Sequence, residues 1–242
     1  MTSSSICFEG ELIIPEGITQ IITYEYANCP NFTGSLKIPD TVTKIDDYAF
    51  TDCSGFTGTL TLSKNLTHIG KFAFSGCSGF TGSLIIPDSI DTFGSNSFYG
   101  CIGFSGSLIF PEKYITFGDY FFSGCREFNG TLEFSYLQTF VPKDGFSYCD
   151  GFVELKLSER VNEILENAFY KCSGFKGSLV ITKDIGIINR NAFAFCSGFN
   201  GSLIILGSSL VIEFGVFYAC SGFTGPLEFG NETYITKPLG NY

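Results

Sequence analysis

A repeat with a period of 24 residues is the feature that most constrains how this chain can fold. Nine cysteines recur at this spacing, with a single step of 23 residues between Cys149 and Cys172. An aromatic residue stands three positions before each of these cysteines, and another stands three positions after. Units copied at a period of about 20 to 50 residues are typical of a solenoid, in which each unit packs mainly on its neighbours. The nine positions are Cys29, Cys53, Cys77, Cys101, Cys125, Cys149, Cys172, Cys196 and Cys220.

A short segment of alternating apolar and polar residues follows the second aromatic residue of each unit. It reads SLKIP at residues 35–39 and SLIIP at residues 83–87, and a further copy, ELIIP, precedes the first cysteine of the series. Alternation with period two predicts one short strand per repeat, with Leu36 and Ile38 pointing inward and Lys37 pointing outward. The returning side of so short a coil has room for at most a short turn of helix.

The order Leu-x-Ile, Val-x-x-Ile, Ala-Phe, Cys and Phe within each unit resembles a leucine-rich repeat of the BspA-like class, found on the surfaces of bacteria and parasitic protists. The resemblance covers about residues 8–230. It implies a right-handed coil of about ten turns of 23–24 residues, with one short parallel strand per repeat on the concave face and short helical or 3-10 turns and loops on the convex side. On this interpretation residues 1–242 form one solenoid domain with a short irregular tail at residues 231–242.

One spacing departs from the BspA-like pattern. In most repeats the strand leucine lies four positions after the second Phe, as Leu84 after Phe80, where that pattern usually has three. The shorter spacing occurs from Phe152 to Leu155, in the single 23-residue repeat. The extra residue elsewhere belongs to a Thr-Gly pair or its equivalent. Because Gly adopts backbone angles closed to other residues, the pair predicts a bulge or tight turn before each strand.

Stacking explains why the unit is copied so many times. One coil cannot bury its own apolar edge, but coils stacked about 4.8 Å apart bury a continuous core, in which the Phe and Cys residues form ladders. The two end strands lack partners, and neither terminus carries an obvious cap. We therefore expect either a homodimer that pairs end to end or a chain cut from a longer array.

The residues that could carry chemistry fit structural positions better than catalytic or metal sites. The cysteines recur once per coil without a CxxC motif or a Cys-His pair, which predicts buried free thiols, with Cys7, outside the register, as the most exposed. His68 is the only histidine and stands where Lys44 stands one repeat earlier, at a tolerant outer position. Asp46 and Asp47 are interpreted as part of a solvated loop. We expect no catalytic residue, no cofactor, no metal and no enzymatic activity.

Charge and hydropathy restrict the partners. The formal net charge of −10 is scattered along the chain, which argues against nucleic acid and anionic membranes as partners. No apolar run approaches the roughly 20 residues of a membrane-spanning helix, and the first ten residues lack the pattern of a signal peptide. The sequence therefore predicts a soluble protein. Five N-x-[ST] acceptors, at Asn31, Asn65, Asn129, Asn200 and Asn231, would matter only in an exported protein.

The outward row of the strands is the candidate binding face. It is flanked by a row of Ser and Thr that includes Ser35 and Ser83. Apolar pairs such as Ile85 with Ile109 on an exposed face indicate a contact surface for a protein partner. The predicted partner-binding residues are Lys37, Thr61, Ile85, Ile109, Glu133, Lys156, Val180 and Ile204, and Ile13 and Glu228 extend the row.

Two functions follow from different premises. The resemblance implies a cell-surface or secreted adhesion protein that binds host or neighbouring-cell proteins, whereas the missing signal, anchor and cysteine-rich caps favour an intracellular scaffold. A glycan-binding module would need aromatic residues on the exposed face, and the strand alternation places most of them inside.

Overall fold

Two columns of short parallel strands run the length of the chain in the computed structural model, which describes residues 6–207, 209–230 and 234–235. The front column contains eight of the ten predicted Leu-x-Ile segments and begins with a small strand pair. The predicted strands at residues 12–14 and 84–86 are not formed. The back column lies on the returning side of each coil. The front strands are β1 (Gly10–Glu11), β3 (Phe32–Thr33), β4 (Leu36–Lys37), β6 (Leu60–Thr61), β9 (Leu108–Ile109), β11 (Thr131–Glu133), β13 (Glu154–Lys156), β15 (Leu179–Ile181), β17 (Leu203–Ile205) and β19 (Leu227–Phe229). The back strands are β2 (Gln20–Ile21), β5 (Lys44–Ile45), β7 (His68–Ile69), β8 (Thr92–Phe93), β10 (Thr116–Phe117), β12 (Phe140–Val141), β14 (Glu163–Ile164), β16 (Ile187–Ile188), β18 (Ser209–Ile212) and β20 (Tyr234–Ile235).

Strands pair with the equivalent strand of the next coil, always in parallel. In the front column the pairs are β1–β3, β4–β6, β9–β11–β13 and β15–β17–β19. In the back column five strands from β2 to β10 form one sheet, and five from β12 to β20 form another. The coil of parallel strands that the sequence predicts is therefore confirmed. The strand β20 falls within the predicted irregular tail, most of which lies outside the described residues.

The back column is the main difference from the predicted fold. No helix occurs within the described ranges, and a second strand stands where a short helical turn was expected. Its residues alternate in the same way as those of the front strands: Lys44 is exposed and Ile45 is buried, and Thr92 stands outside while Phe93 is buried. β-Branched and aromatic residues at such positions favour strand over helix.

The third side of each coil is a turn with two residues in the left-handed region of backbone angles. These residues stand five positions and one position before each cysteine of the series, as Tyr48 and Asp52 do before Cys53. Only Gly adopts such angles without cost. Both positions are held by backbone hydrogen bonds to the next coil, from Tyr48 N to Lys71 O at 2.8 Å and from Asp52 N to Ser75 O at 2.7 Å.

Two ladders of stacked aromatic rings fill the core, as predicted. The ladder before the cysteines begins at Tyr26 and Phe50, whose ring centroids lie 5.2 Å apart, and includes Phe98 and Phe122 at 4.8 Å. The ladder after the cysteines includes Phe56 and Phe80 at 4.7 Å. Since the rings are fully buried in most coils, they supply a large part of the apolar area that holds the coils together.

The cysteines form a third ladder with a polar function. The thiol of Cys125 donates a hydrogen bond of 3.2 Å to the carbonyl oxygen of Phe98 in the preceding coil, and Cys77 donates one of 3.0 Å to Phe50. The same contact recurs at every cysteine from Cys53 to Cys220, at 2.8 to 3.2 Å. Cysteine is therefore suited to this position because it combines a small apolar side chain with a weak donor.

Glycines set the close approach of neighbouring coils. A Cβ atom on Gly55 would lie 1.9 Å from the carbonyl oxygen of Pro30, a distance that no side chain allows. The Thr-Gly positions behave as predicted at Gly34, Gly82 and Gly106, which have φ between +72° and +80°. These backbone angles allow the turn that precedes each front strand.

We expect Phe98→Ala to lower the free energy of unfolding by about 3 to 5 kcal/mol, because it removes a fully buried ring from the ladder and leaves a cavity. Denaturant-induced unfolding measures the change. The matched control is Tyr99→Ala, since the Tyr99 side chain is 47% exposed and its loss should cost about 0.5 kcal/mol or less. Equal losses in the two variants would contradict the assignment of the ring ladder as the core.

Candidate functional site

The front column presents a row of outward side chains, as the alternation predicts. Ile13 is 78% exposed, Ile85 is 73% exposed and Ile109 is 55% exposed, which is unusual for isoleucine. Val180 is also exposed, while Ile204 is half-buried. The polar members are Lys37, Thr61, Lys156 and Glu228, which are exposed, and Glu133, which is half-buried. The row thus combines exposed aliphatic side chains with charged ones on one face.

The flanking row of Ser and Thr has a structural task. The hydroxyl of Ser35 accepts a hydrogen bond of 2.9 Å from the backbone N–H of Thr59, and Ser107 accepts one of 3.0 Å from Thr131. Ser178 repeats the contact in a later coil. These hydroxyls satisfy backbone donors where the Gly-containing turn interrupts the strand ladder, so they position the outward row.

Two hollows lie on the front face. The smaller, of about 300 Å³, is lined by Ile13, Lys37 and Thr61 among others. The larger, of about 650 Å³, lies where β13 and β15 are neighbours, and Lys156 and Val180 of the predicted row line it. The structure therefore places members of the predicted row at both hollows, and volumes of this size are typical of ligand pockets.

Charged groups of the larger hollow are partly paired. The Lys156 ammonium lies 3.3 Å from a Glu133 carboxylate oxygen, across the pair β11–β13. The Thr131 hydroxyl donates a hydrogen bond of 2.7 Å to Glu154. Sequence reasoning did not identify this hollow, although the shorter spacing from Phe152 to Leu155 was a visible signal of it.

His68 lies in the back column between Lys44 and Thr92 of the adjacent strands. Partial burial lowers its pKa, and the nearby Lys44 ammonium lowers it further. Within the described ranges, no three His, Cys, Asp or Glu side chains come together as a possible metal site. The predicted outer position of His68 is half-buried in the structure.

The prediction that all cysteines are free thiols was wrong for two of them. Cys7 and Cys29 form a disulfide, with Cα atoms 5.2 Å apart. Cys7 stands outside the 24-residue register, so its distance from Cys29 along the fold was not visible in the repeat. The disulfide lies at the first coil, where Phe8 also packs edge-on against Phe32 at 5.1 Å.

The other eight cysteines are free, and all but Cys220 are buried. Burial raises the pKa of Cys149 to about 12 and that of Cys220 to about 11, because the thiolate loses its hydration inside the coil. Thiols with raised pKa values are poor nucleophiles and poor metal ligands at neutral pH. Seven of the eight free thiols have pKa values raised in this way, whereas the hydrogen bond with the Cys77 thiol lowers the pKa of Cys53. Because all but Cys220 are buried, the ladder has mainly structural properties.

An aromatic stack on the turn side was not predicted. The rings of Tyr24 and Tyr48 are parallel with centroids 4.9 Å apart, and Phe72 continues the stack at 4.9 Å. In later coils the Lys171 ammonium lies 4.9 Å from the ring centroid of Tyr148. The two faces of the Tyr48 ring contact the rings of Tyr24 and Phe72, so its edge is directed outward. Sugars stack on ring faces, and this arrangement therefore does not favour a sugar ligand at Tyr48.

Comparison with protein families gives the class of this chain. A family model described as "BspA type Leucine rich repeat region (6 copies)" matches residues 7–129 and 105–224. The chain therefore belongs to the BspA-type leucine-rich-repeat family. A search of curated proteins gave no significant match.

One solved structure supports the fold, and two others are more distant. A leucine-rich repeat protein from Bacteroides ovatus ATCC 8483 is similar with a TM-score of 0.76 and 23% identity, over 88% of this chain and 55% of that one. This chain thus spans about half the length of that protein. A leucine rich cell surface protein from Faecalibacterium prausnitzii A2-165 gives 0.49 and 19%, over 95% and 70% of the two chains. A leucine-rich repeat protein from Eubacterium ventriosum ATCC 27560 gives 0.48 and 17%, over 89% and 71%. At 23% identity the likeness to the Bacteroides ovatus protein concerns the fold alone.

Two further observations concern location. None of the described residues belongs to a helix that is long and apolar enough to cross a membrane. Of the five acceptor asparagines, Asn31, Asn65, Asn129 and Asn200 are exposed, and Asn231 lies outside the described residues. The side chains of Asn129 and Asn200 each accept a hydrogen bond from the backbone N–H of a glycine in the preceding coil.

We expect eight of the ten cysteines to react with a thiol reagent after unfolding without reductant, and all ten after reduction. In the native protein at about pH 8 the reaction should be slow and should begin at Cys220, the least buried of the free thiols. Mass spectrometry of the labelled chain counts the sites. Ten labels before reduction would contradict the disulfide, and fast native labelling of Cys125 would contradict the buried ladder.

Proposed function

We propose that this chain is a non-enzymatic recognition protein that binds a protein partner through the front face, at the cell surface or after secretion. The observation that carries the proposal is the row of exposed Ile13, Ile85 and Ile109. When a partner covers such exposed aliphatic side chains, their apolar surface is removed from water, and this burial favours binding. The wide separation of these residues along the solenoid suits a partner that contacts several coils at once.

The Cys7–Cys29 disulfide supports a location outside the cytosol. Disulfides form and persist in oxidising compartments and at cell surfaces, and are rare in cytosolic proteins. The acceptor asparagines at exposed positions are compatible with export in an organism that glycosylates proteins. The family resemblance points the same way, toward a protein of adhesion or host interaction.

An intracellular scaffold is the second candidate. The observation that favours it is the set of eight free thiols, because free cysteines are common in reducing compartments. Their burial weakens this support, since an inaccessible thiol survives in either compartment. The same front face would then bind an intracellular protein.

A homodimer remains part of the proposal. The side chains of Leu227 and Phe229 in β19 are each 50% exposed, unlike the equivalent Leu179 and Ile181 two coils earlier, which are buried. A second copy, or further repeats, could cover them and pair with the edge of the strand. A monomeric mass in light scattering behind a sizing column would contradict the homodimer.

Antibody labelling of intact and permeabilised source cells separates the two candidates. We expect intact cells to be labelled, because the proposal places the protein at the surface. Culture medium should be tested by the same antibody to detect secreted protein. Labelling that requires permeabilisation, with none in the medium, would contradict the surface proposal and favour the scaffold.

The double variant Ile85→Glu and Ile109→Glu tests the front face. We expect its affinity for neighbouring cells or host matrix proteins to fall by about 2 kcal/mol or more, roughly thirtyfold, because two charges would be buried at the contact. Fluorescently labelled protein measures the binding, and the thermal midpoint should change little because both side chains are exposed. The matched control is Ile102→Glu, which changes an exposed isoleucine on a turn outside the front column. Unchanged binding by the double variant would move the contact to another face.

A further inference from the structure

The front column is interrupted between β13 and β15, although both strands are formed and lie in consecutive coils. β13 pairs only with β11, and β15 pairs only with β17. On the other side of the same two coils the back strands remain paired, with Glu163 opposite Ile187 and Ile164 opposite Ile188. The coils therefore separate at the front while they stay joined at the back, and the interruption forms a cleft.

The missing residue of the 23-residue repeat explains the cleft. The backbone N–H of Lys176 donates to the carbonyl oxygen of Val153 at 2.9 Å, so the coils are in register just before the strands. After this bond, Gly177 and Ser178 stand opposite the single residue Glu154 on the way to the strand leucines. Two residues opposite one is the arrangement of a bulge, which disrupts the ladder locally.

The interruption leaves strand edges directed into the cleft. In a regular junction Leu36 N donates to Thr59 O at 2.9 Å and Ile38 N donates to Thr61 O at 2.8 Å. No backbone hydrogen bond joins residues 154–157 to residues 178–181, all of which are described. Backbone donors and acceptors of a sheet edge are the groups that a further strand can pair with.

The cleft also uncovers part of the core. Leu155 and Leu157 are half-buried, whereas the equivalent Leu132 and Phe134 one coil earlier are buried. The hydroxyl of Thr182, which lines the cleft, is buried and has no hydrogen-bond partner. The cleft of about 650 Å³ therefore offers apolar surface, an unpaired hydroxyl and strand edges in one place.

The charged residues that line the cleft indicate the charge of its ligand. The lining contains three carboxylates, of Glu112, Glu133 and Glu154, and two ammonium groups, of Lys156 and Lys176. Because Lys156 is engaged by Glu133 at 3.3 Å, the remaining charges are two carboxylates and one ammonium group. A ligand that carries positive charge beside an apolar residue complements this lining.

We propose that this cleft binds a short extended peptide segment of a partner protein, by strand addition to the exposed edge. The peptide backbone pairs with the edge of β13 or β15, and an apolar side chain covers Leu155 and Leu157. One Lys or Arg side chain meets Glu154, and a second, near the other end of the peptide, meets Glu112. The inference deepens the proposed function, since it names the chemistry of one contact on the front face. Neither Ile85 nor Ile109 lines the cleft, so the two contacts can be tested separately.

A single glycine inserted between Val153 and Glu154 is the sharpest test. It restores the 24-residue spacing, so β13 and β15 should pair, the cleft should close and the thermal midpoint should rise. An array of acetylated and amidated hexapeptides, with apolar residues at alternate positions and varied charge, supplies the probes. We expect basic members to bind wild-type protein, and we expect their N-methylated counterparts and the insertion variant to show no binding above background.

Three variants keep the outcomes apart. The double variant Glu112→Lys and Glu154→Lys leaves the chain length unchanged and should weaken binding of basic peptides by about tenfold or more. The double variant Ile85→Glu and Ile109→Glu should bind the peptides as wild type does, even if it loses the partner. Val153→Thr, which changes the same site without an insertion, should bind normally. Peptide binding that survives the insertion, or no peptide binding by wild-type protein, would overturn the proposal. A dimer in light scattering that the insertion abolishes would also overturn it, because a second copy would then be the occupant.

Discussion

Parallel pairing between successive coils fixes a spacing of about 4.8 Å at the strands, and every other layer of the structure must fit that spacing. Aromatic rings satisfy it by stacking, as Phe56 and Phe80 do at 4.7 Å. Where the backbones of neighbouring coils come closest, as at Gly55, glycine allows the spacing because it has no side chain. The thiols satisfy it by donating to a carbonyl oxygen of the preceding coil, as Cys125 does to Phe98. One constraint thus explains why aromatic residues, glycine and cysteine recur at the same positions.

Where the repeat is irregular, the spacing between stacked rings becomes wider. In the ring ladder after the cysteines, the two widest separations are 6.4 Å between Phe152 and Phe175 and 6.0 Å between Phe104 and Phe128. The first follows the missing residue of the 23-residue repeat, and the second accompanies Glu127, which stands where all other coils except the first have glycine. The stack tolerates both because wider spacing at one layer is accommodated by pairing elsewhere in the coil.

Much of the fold could be predicted because it follows from two periods, 24 along the chain and two along the strand. These periods place Ile85 outside and Leu84 inside without any knowledge of the turns. The back strands could not be predicted in this way. Most of them are two residues long, and one apolar residue beside one polar residue does not distinguish a strand from a turn in the sequence. The left-handed residues such as Tyr48 and Lys171 were equally hidden, because the side chains there vary while only the backbone angle is constant. Cys7 was misjudged because it has no equivalent in the repeat.

The candidate site illustrates what a repeat sequence can and cannot reveal. The outward row could be identified from the alternation of apolar and polar residues. Because this alternation is the same in every coil, it does not indicate that one coil binds differently from another. The shorter spacing from Phe152 to Leu155 supplies that reason. A missing residue cannot be absorbed by a ladder whose partners are fixed on both sides, so β13 keeps its pairing with β11 and gives up its pairing with β15. Pairing β13 with β15 would bury Leu155 and Leu157, which the open junction leaves half-buried. The opening therefore combines apolar side chains with unpaired strand edges in one place, and this combination is the physical argument for a bound peptide there.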